Sequence, residues 1–382
     1  MFDTVILNIP QEDYSISNPY KFKPPAKNMM DNLEGHFKYI NNRTSEDKER
    51  GIYKPRLTIN KRGCRFDLKV EFSAPKLLLG SNLDELEESD FCAVVDKLRV
   101  MMASMGVDVL RNVIENAKVS SFHPSKNIPL TGGYTATFAI RELSKINLSK
   151  KFDLQEVKYR NDGQLLQLYS RVHSVVLYDK INDMGKPEKR AVDKEQTSQQ
   201  TTIFHEIKED KKKIEVLRFE VRLTDKKKMD KVLEEIGYSP NPSFKDIFKK
   251  DVCQKIVNLY WEMFWGSENW FLFEVNNNPQ DLLQRIFLND SKIKGKQAIY
   301  LVGLNSLSRD DSGIRGFREI LCGSRGETKW ANITRDLKKF EGPQFRQGLH
   351  GFIDDIRKNL REFNAFRYGN GPKVVHLPCK AL

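Results

Sequence analysis

The sequence predicts an α+β protein, with an antiparallel sheet core, helices on one face of it, and a mainly helical C-terminal part. Segments that alternate with strand period dominate the first part of the chain, most clearly VHSVVLYDK (Val172 to Lys180) and LRFEVRL (Leu217 to Leu223). Amphipathic stretches of helical period separate them, and beyond residue 237 the periodicity is almost entirely helical. At 382 residues the chain exceeds the usual length of one domain. The expected plan is a domain over 1–237, a helical domain over 238–368 and a tail over 369–382.

Val5 to Ile9 reads as a first strand, and Lys54 to Asn60 with Arg65 to Ser73 as a hairpin turning at Arg62 and Gly63. Asp84 to Met105 carries Leu86, Phe91, Val94, Val95, Leu98 and Met101 at helical spacing, and Gly106 stops it. Ala117 to Phe122 reads as a strand, Gly133 to Ile146 as a second amphipathic helix, and Asp153 to Lys180 as strands around the turn Asn161, Asp162, Gly163. From 182 to 213 the composition turns to Lys, Glu, Gln and Thr, the mark of a solvated, mobile excursion with some helical content. Asp225 to Ile236, Phe244 to Phe264, Pro279 to Phe287, Gln297 to Leu307 and Gly313 to Leu321 read as helices.

The formal net charge is +12 and 10% of residues are aromatic, a balance that favours a polyanionic partner with rings for stacking on unpaired bases. From Lys292 to Arg367 there are 16 Lys and Arg against 9 Asp and Glu, so this region is expected to face nucleic acid. The five cysteines are far apart and have no zinc spacing, which reads as reduced thiols in a cytosolic protein. The opening MFDTVILNIPQEDY has no basic leader, and no apolar run reaches membrane-spanning length, so a soluble, non-exported chain is expected. No GxxxxGK[ST] loop and no GxGxxG after a strand are present, which argues against an ATPase or dinucleotide enzyme.

On LRFEVRL one face is Leu217, Phe219, Val221 and Leu223, and the other is Arg218, Glu220 and Arg222. On VHSVVLYDK, Tyr178 and Lys180 share a face, roughly 6 to 7 Å apart. A phenol beside an ammonium, with a carboxylate flanked by arginines, supplies a nucleophile, a phosphate clamp and a metal ligand, the parts of a Tyr-dependent DNA nickase. Each residue also has a plainer role: a strand Tyr packs, and a Glu between arginines forms ion pairs. His123, in SSFHPSKN at an expected strand end, and Glu71, in KVEFSAPK, are further metal-ligand candidates; a loop histidine and a solvated carboxylate are their ordinary counterparts. The Lys211 to Lys213 and Lys226 to Lys228 runs are solvated or clamp backbone phosphate. The helices flanking Arg309 to Ser312 have helix-turn-helix spacing, which also fits a plain hairpin, and offer Arg315 and Arg318 as DNA contacts.

At these residues the chain resembles the gene II/X replication initiator family of filamentous single-stranded DNA phages and related plasmids. MFDTVILNIP is similar to that family's hydrophobic start, VEFSAPKLLLGSN to its strand and Pro-Lys, Gly-Asn turn, SVVLYDK to its nucleophile strand, LRFEVRL to its Arg-Phe-Glu strand, and GKQAIYLVGLNSL to the start of its helical region. The resemblance implies a Rep-like, ferredoxin/RRM-like core and an enzyme of rolling-circle replication, a metal-dependent, site-specific endonuclease and strand transferase in the bacterial host cytoplasm. It implies Tyr178 as the attacking tyrosine, Lys180 as its companion, Arg218 and Glu220 as the Arg-Phe-Glu pair, and Mg²⁺ or Mn²⁺ as the metal. Its implied partners are double-stranded origin DNA, the displaced single strand and the host polymerase and helicase machinery, with an oligomer on the DNA compatible with it. Where the family carries an acidic residue before the second core helix, this chain offers His123. The alternative is a non-catalytic origin-binding replication protein, in which the Tyr178 and Arg-Glu-Arg residues are structural.

Overall fold

The computed structural model describes residues 1–26, 36–62, 65–146, 156–160, 163–189, 191–210, 214–266, 270–275, 278–322, 327–342, 345 and 348–369. In chain order the strands are β1 (Phe2–Ile9), β2 (Tyr14–Ile16), β3 (His36–Asn41), β4 (Arg56–Arg62), β5 (Arg65–Ser73) and β6 (Val107–Val109), then β7 (Lys118–Pro129), β8 (Glu156–Arg160), β9 (Leu165–Tyr169), β10 (His173–Asp179) and β11 (Val216–Leu223). Among the described residues nine of them form one antiparallel sheet in the order β3-β4-β5-β1-β7-β11-β10-β9-β8, and β2 pairs with β6. The α+β class expected from the sequence is the class observed. No helix among the described residues is long and apolar enough to cross a membrane.

Strand alternation builds the main core. Val5, Leu7 and Ile9 of β1, Val70 and Phe72 of β5, and Leu217, Phe219, Val221 and Leu223 of β11 are fully or almost fully buried. Beneath them runs the helix Lys250–Trp261, whose Trp261 ring meets Phe219 edge-on at 6.1 Å; Trp265, one turn further on, meets it at 5.9 Å. Phe2 packs on Phe248 in the same way at 5.3 Å. One continuous core joins Met1, the sheet and the helices through Phe363, so the buried residues run unbroken across the boundary expected near 237.

Several elements differ from expectation. The strand expected to end at Phe122 continues to Pro129, so His123 lies within a strand. Pro124 is tolerated there because the β1–β7 register shifts between Phe2 and Val5, and the irregularity relieves the ladder of one donor. The helix expected from Asp84 starts only at Phe91, because Asp84 and Glu85 turn away to accept hydrogen bonds from the backbone of Tyr368 and from Asn127. Phe244 to Phe264 divides into Phe244–Ile247 and Lys250–Trp261, and Glu327–Leu337 and Gly351–Glu362 are helices the periodicity did not single out. The turn residues Gly63, Asn161 and Asp162, the Lys211 to Lys213 run and all but the first residue of the tail lie outside the described residues. Cys92 is disulfide-bonded, which corrects the reading of five reduced thiols, while Cys253 is free and buried, its thiol pushed up to about 12 by burial.

The largest departure is the polar excursion. It is a packed cover, built from the helices Lys180–Met184 and Ser198–Glu209 with a 3-10 turn at Val192–Lys194 between them. Leu83, Ile181, Met184, Ile203, Ile207 and Val216 form a second small core under it. Every residue of β10 is buried, and in β11 only Arg222 is partly exposed. Helices therefore cover both faces at the centre of the sheet, where one face had been expected. Lys, Glu and Gln residues concealed this because only the inward stripe of the cover is apolar.

Candidate active site

Register brings the polar side chains of the central strands together. Tyr178 lies opposite Arg218, and Val176 opposite Glu220; on the other side of β11, Arg218 faces Asn127 and Glu220 faces Ser125. Residues diagonal across an antiparallel pair are within reach of long side chains. The Tyr178 hydroxyl accordingly donates to Glu220 Oε2 at 3.1 Å. Arg222 Nε donates to Glu220 Oε1 at 2.7 Å, Arg218 Nε stands 3.4 Å from Oε2, and His123 Nδ1 is 3.6 Å from Oε1. Both carboxylate oxygens are thus enclosed.

Arg218 is only 2% exposed and points inward, so it is not placed as the phosphate clamp expected of it. It pairs with Asp3 at 3.1 Å and donates to the Asn82 carbonyl (2.8 Å) and Ser125 Oγ (2.9 Å). Asp3 also accepts from Ser73 Oγ and from Asn82 Nδ2, the latter at 2.9 Å. Lys180 is the first residue of a helix capped by Asp179, not a strand residue beside Tyr178, and its ammonium donates to Asn82 Oδ1 at 2.6 Å. Sequence reasoning missed Asp3, Ser73, Asn82 and Ser125. Only Asp3 had a local signal, the buried-looking run MFDTVIL broken by a carboxylate.

The charges respond to these contacts. Burial would raise the Glu220 carboxyl, but Arg222 and Arg218 outweigh it and hold the group well below the usual carboxylate range. Asp3 behaves likewise: burial opposes ionisation, Arg218 wins, and its pKa falls. Burial drives the Tyr178 phenol well above its ordinary value, and burial with the nearby Arg218 drives the Lys180 ammonium well below its own. Burial also lowers His123, against the pull of Glu220. A cation of the cover lies over the phenol ring: Lys194 Nζ is 5.0 Å from the ring centroid and pairs with Asp183 at 2.6 Å.

A cavity of about 120 Å³ borders Tyr178, with Arg222, Asn82, Lys186, Lys189 and Lys194 among its walls. No family model, curated protein or solved structure matches the chain. The site therefore stands on its own geometry, which holds a protonated phenol against an ionised carboxylate beside a cation-lined cavity.

Of the expected metal ligands, Glu220 and His123 meet, whereas Glu71 pairs with Lys69 at 3.5 Å and Arg56 at 4.0 Å. Among the described residues no three His, Cys, Asp or Glu are grouped to hold a metal ion. Two guanidinium groups already neutralise Glu220, so in this arrangement the expected donors do not fit a divalent cation. In the C-terminal part, Arg315 and Arg318 lie on the helix Gly313–Cys322; Arg315 is exposed beside Glu319 (3.8 Å), and Arg318 stacks over Trp330 at 5.8 Å. Neither is near the Tyr178 cluster by any contact described.

Proposed function

We propose that the protein initiates rolling-circle DNA replication, acting as a site-specific endonuclease and strand transferase with Tyr178 as its nucleophile and a Rep-like arrangement of its central strands. One observation carries this reading: a single tyrosine hydroxyl hydrogen-bonded to a buried carboxylate that two arginines and a histidine surround, at the wall of a cation-lined cavity. In the reaction the Tyr178 oxygen attacks a backbone phosphorus at the plus-strand origin, the bond from phosphorus to the 3′ oxygen breaks, and the phenolic proton leaves to solvent or a base. The 5′ phosphate stays on Tyr178 and the freed 3′ hydroxyl primes synthesis. A later attack by a 3′ hydroxyl on the phosphotyrosine reverses the exchange, releases Tyr178 and joins the displaced strand. Because the bond energy is kept in the phosphotyrosine, no nucleotide cofactor is required.

Arg222, partly exposed and lining the cavity, is the guanidinium able to meet phosphate, while Arg218 acts by positioning Glu220 and Asp3. The covered phenol is a resting state, so the cover must lift from Tyr178 before a strand can enter. The non-catalytic origin-binding reading draws on one specific observation, that Tyr178 is only 2% exposed. Incubation of wild type and Tyr178→Phe with 5′-labelled and internally labelled origin DNA and Mg²⁺ or Mn²⁺, resolved on a denaturing protein gel, separates them. Internal label placed 3′ of the nick is expected on the wild-type band and not on the variant, while the 5′ label leaves with the strand that gains the 3′ hydroxyl. Cleavage by the variant would move the nucleophile to Tyr134, Tyr159 or Tyr169, and no cleavage by folded wild type would favour origin binding alone.

A further inference from the structure

Beside the cover lies a second pocket, of about 450 Å³, walled by the cations Arg43, Lys48, Arg56 and Lys189 and the carboxylates Glu188 and Glu195. The Arg43 side chain is only 2% exposed. Its Nη2 donates to the backbone carbonyls of Asp47 (3.3 Å) and Lys48 (3.4 Å), but Nε and Nη1 have no hydrogen-bond partner among the described residues. Nη1 stands 3.7 Å from Glu188 and 3.9 Å from Glu195, close enough for charge attraction and too long for hydrogen bonds. Buried guanidinium donors left unused are costly. An anion with several acceptor oxygens would satisfy both at once.

The position of this pocket matters as much as its charge. Lys189 lines both it and the cavity at Tyr178. On its other side, Asn42 and Arg43 also line a hollow of about 840 Å³ walled further by Tyr20, Lys21, Lys23 and Lys54. The three hollows thus follow one another, and in each the cations outnumber the carboxylates. Tyr20, 68% exposed, offers a ring at the far end.

We propose that the Arg43 pocket is a phosphate subsite, holding a backbone phosphate of a single nucleic-acid strand that runs from the Tyr20 hollow past Lys189 to the Tyr178 cavity. The direction of that path rests on Tyr178 being the site of strand cleavage; the phosphate subsite does not. The plainer account is that Arg43 only tethers the cover through Glu188 and Glu195. Under that account exposed Lys189 contributes nothing to binding.

The test is fluorescence anisotropy of a 5′-labelled single-stranded oligonucleotide without an origin, titrated with full-length protein over a salt series and without divalent ions. Arg43→Gln and Lys189→Gln are each expected to weaken binding several-fold and to make the salt slope shallower by about 0.7, with exposed Lys231→Gln as the unchanged control. Inorganic phosphate, added at constant ionic strength, is expected to compete with the oligonucleotide on wild type and not on Arg43→Gln. Wild-type affinity and slope in Lys189→Gln, which is exposed and expected to fold, would overturn the strand path. Arg43-dependent phosphate binding with oligonucleotide affinity indifferent to Arg43 would also overturn it, leaving a site for a free anion. Binding needs no cleavage, so failure of the Tyr178 reading would show separately, as absence of the labelled adduct with these binding losses intact.

Discussion

The two faces of β11 share one backbone and obey different physics. Leu217, Phe219, Val221 and Leu223 bury into a core whose contacts are interchangeable in kind, whereas Arg218, Glu220 and Arg222 each need a particular partner at a particular atom. Burial stabilises the first face roughly in proportion to area. On the second, desolvation opposes every charge, and only the completeness of the network offsets it. The apolar face should therefore tolerate substitutions that preserve volume, and the polar face almost none that remove one charge.

That contrast can be broken most forcefully at neighbouring positions. Phe219→Ala, which empties the space against Trp261 and Trp265, should cost about 3 to 5 kcal/mol in urea unfolding. Arg218→Met, of similar bulk, should cost about as much because it leaves Asp3 and Glu220 buried without their shared cation. The two should differ in pH response. Asp3 and Glu220 have folded pKa values below their ordinary ones of 3.8 and 4.5, so they stabilise the fold above that range and lose the contribution as pH falls through the folded values. Phe219→Ala should keep that acid sensitivity, and Arg218→Met should lose much of it.

Glu195 sharpens the comparison, since it is a buried glutamate whose ion pair with Arg43, at 3.9 Å, is looser than those of Glu220. Burial pushes it up to about 7 from 4.5, only partly opposed by Arg43 and Arg56. In the folded state it holds its proton between those values while the unfolded chain has released it, so stability falls as pH rises from about 4.5 to 7. Glu195→Gln should remove that slope, and its Tm should exceed that of wild type at pH 8 by more than at pH 5. A smaller effect is expected for Tyr178→Phe, which loses one hydrogen bond to a carboxylate that keeps both arginines: about 1 kcal/mol in stability, with complete loss of the covalent adduct. Least of all, Arg315→Gln on an exposed helix face should change stability by under about 0.5 kcal/mol. Its effect on duplex binding decides whether the C-terminal helices contact DNA.

The strands of this sheet were readable where one face was apolar and the other polar, as in β5 and β11. Legibility failed at β7, where a histidine before Pro124 read as a loop although a register shift accommodates the proline, and at β3, an edge strand in a polar stretch. It failed again at the cover, whose buried stripe is short and interrupted by Lys and Gln. At the site, Tyr178, Glu220, Arg222 and His123 were named from the chain and do come together, and Arg218 was named but faces inward. Lys194, the cation over the phenol, was not found, because nothing near it in sequence marks it as a partner of Tyr178.

By itself the sequence determined what local periodicity and charge can encode: an α+β chain, its central strands, which strand face is apolar, and a Tyr, a Glu and arginines at spacings that put them on the other face. Which charges neutralise which was set by contacts between distant segments. Asp3, Asn82 and Ser125 reach Arg218 from three separate segments, and the cover folds back to shut Tyr178 away from solvent. The reason is range: side-chain alternation is set by the backbone within a few residues, whereas the protonation and accessibility of a buried group depend on every charge and wall that folding brings near it.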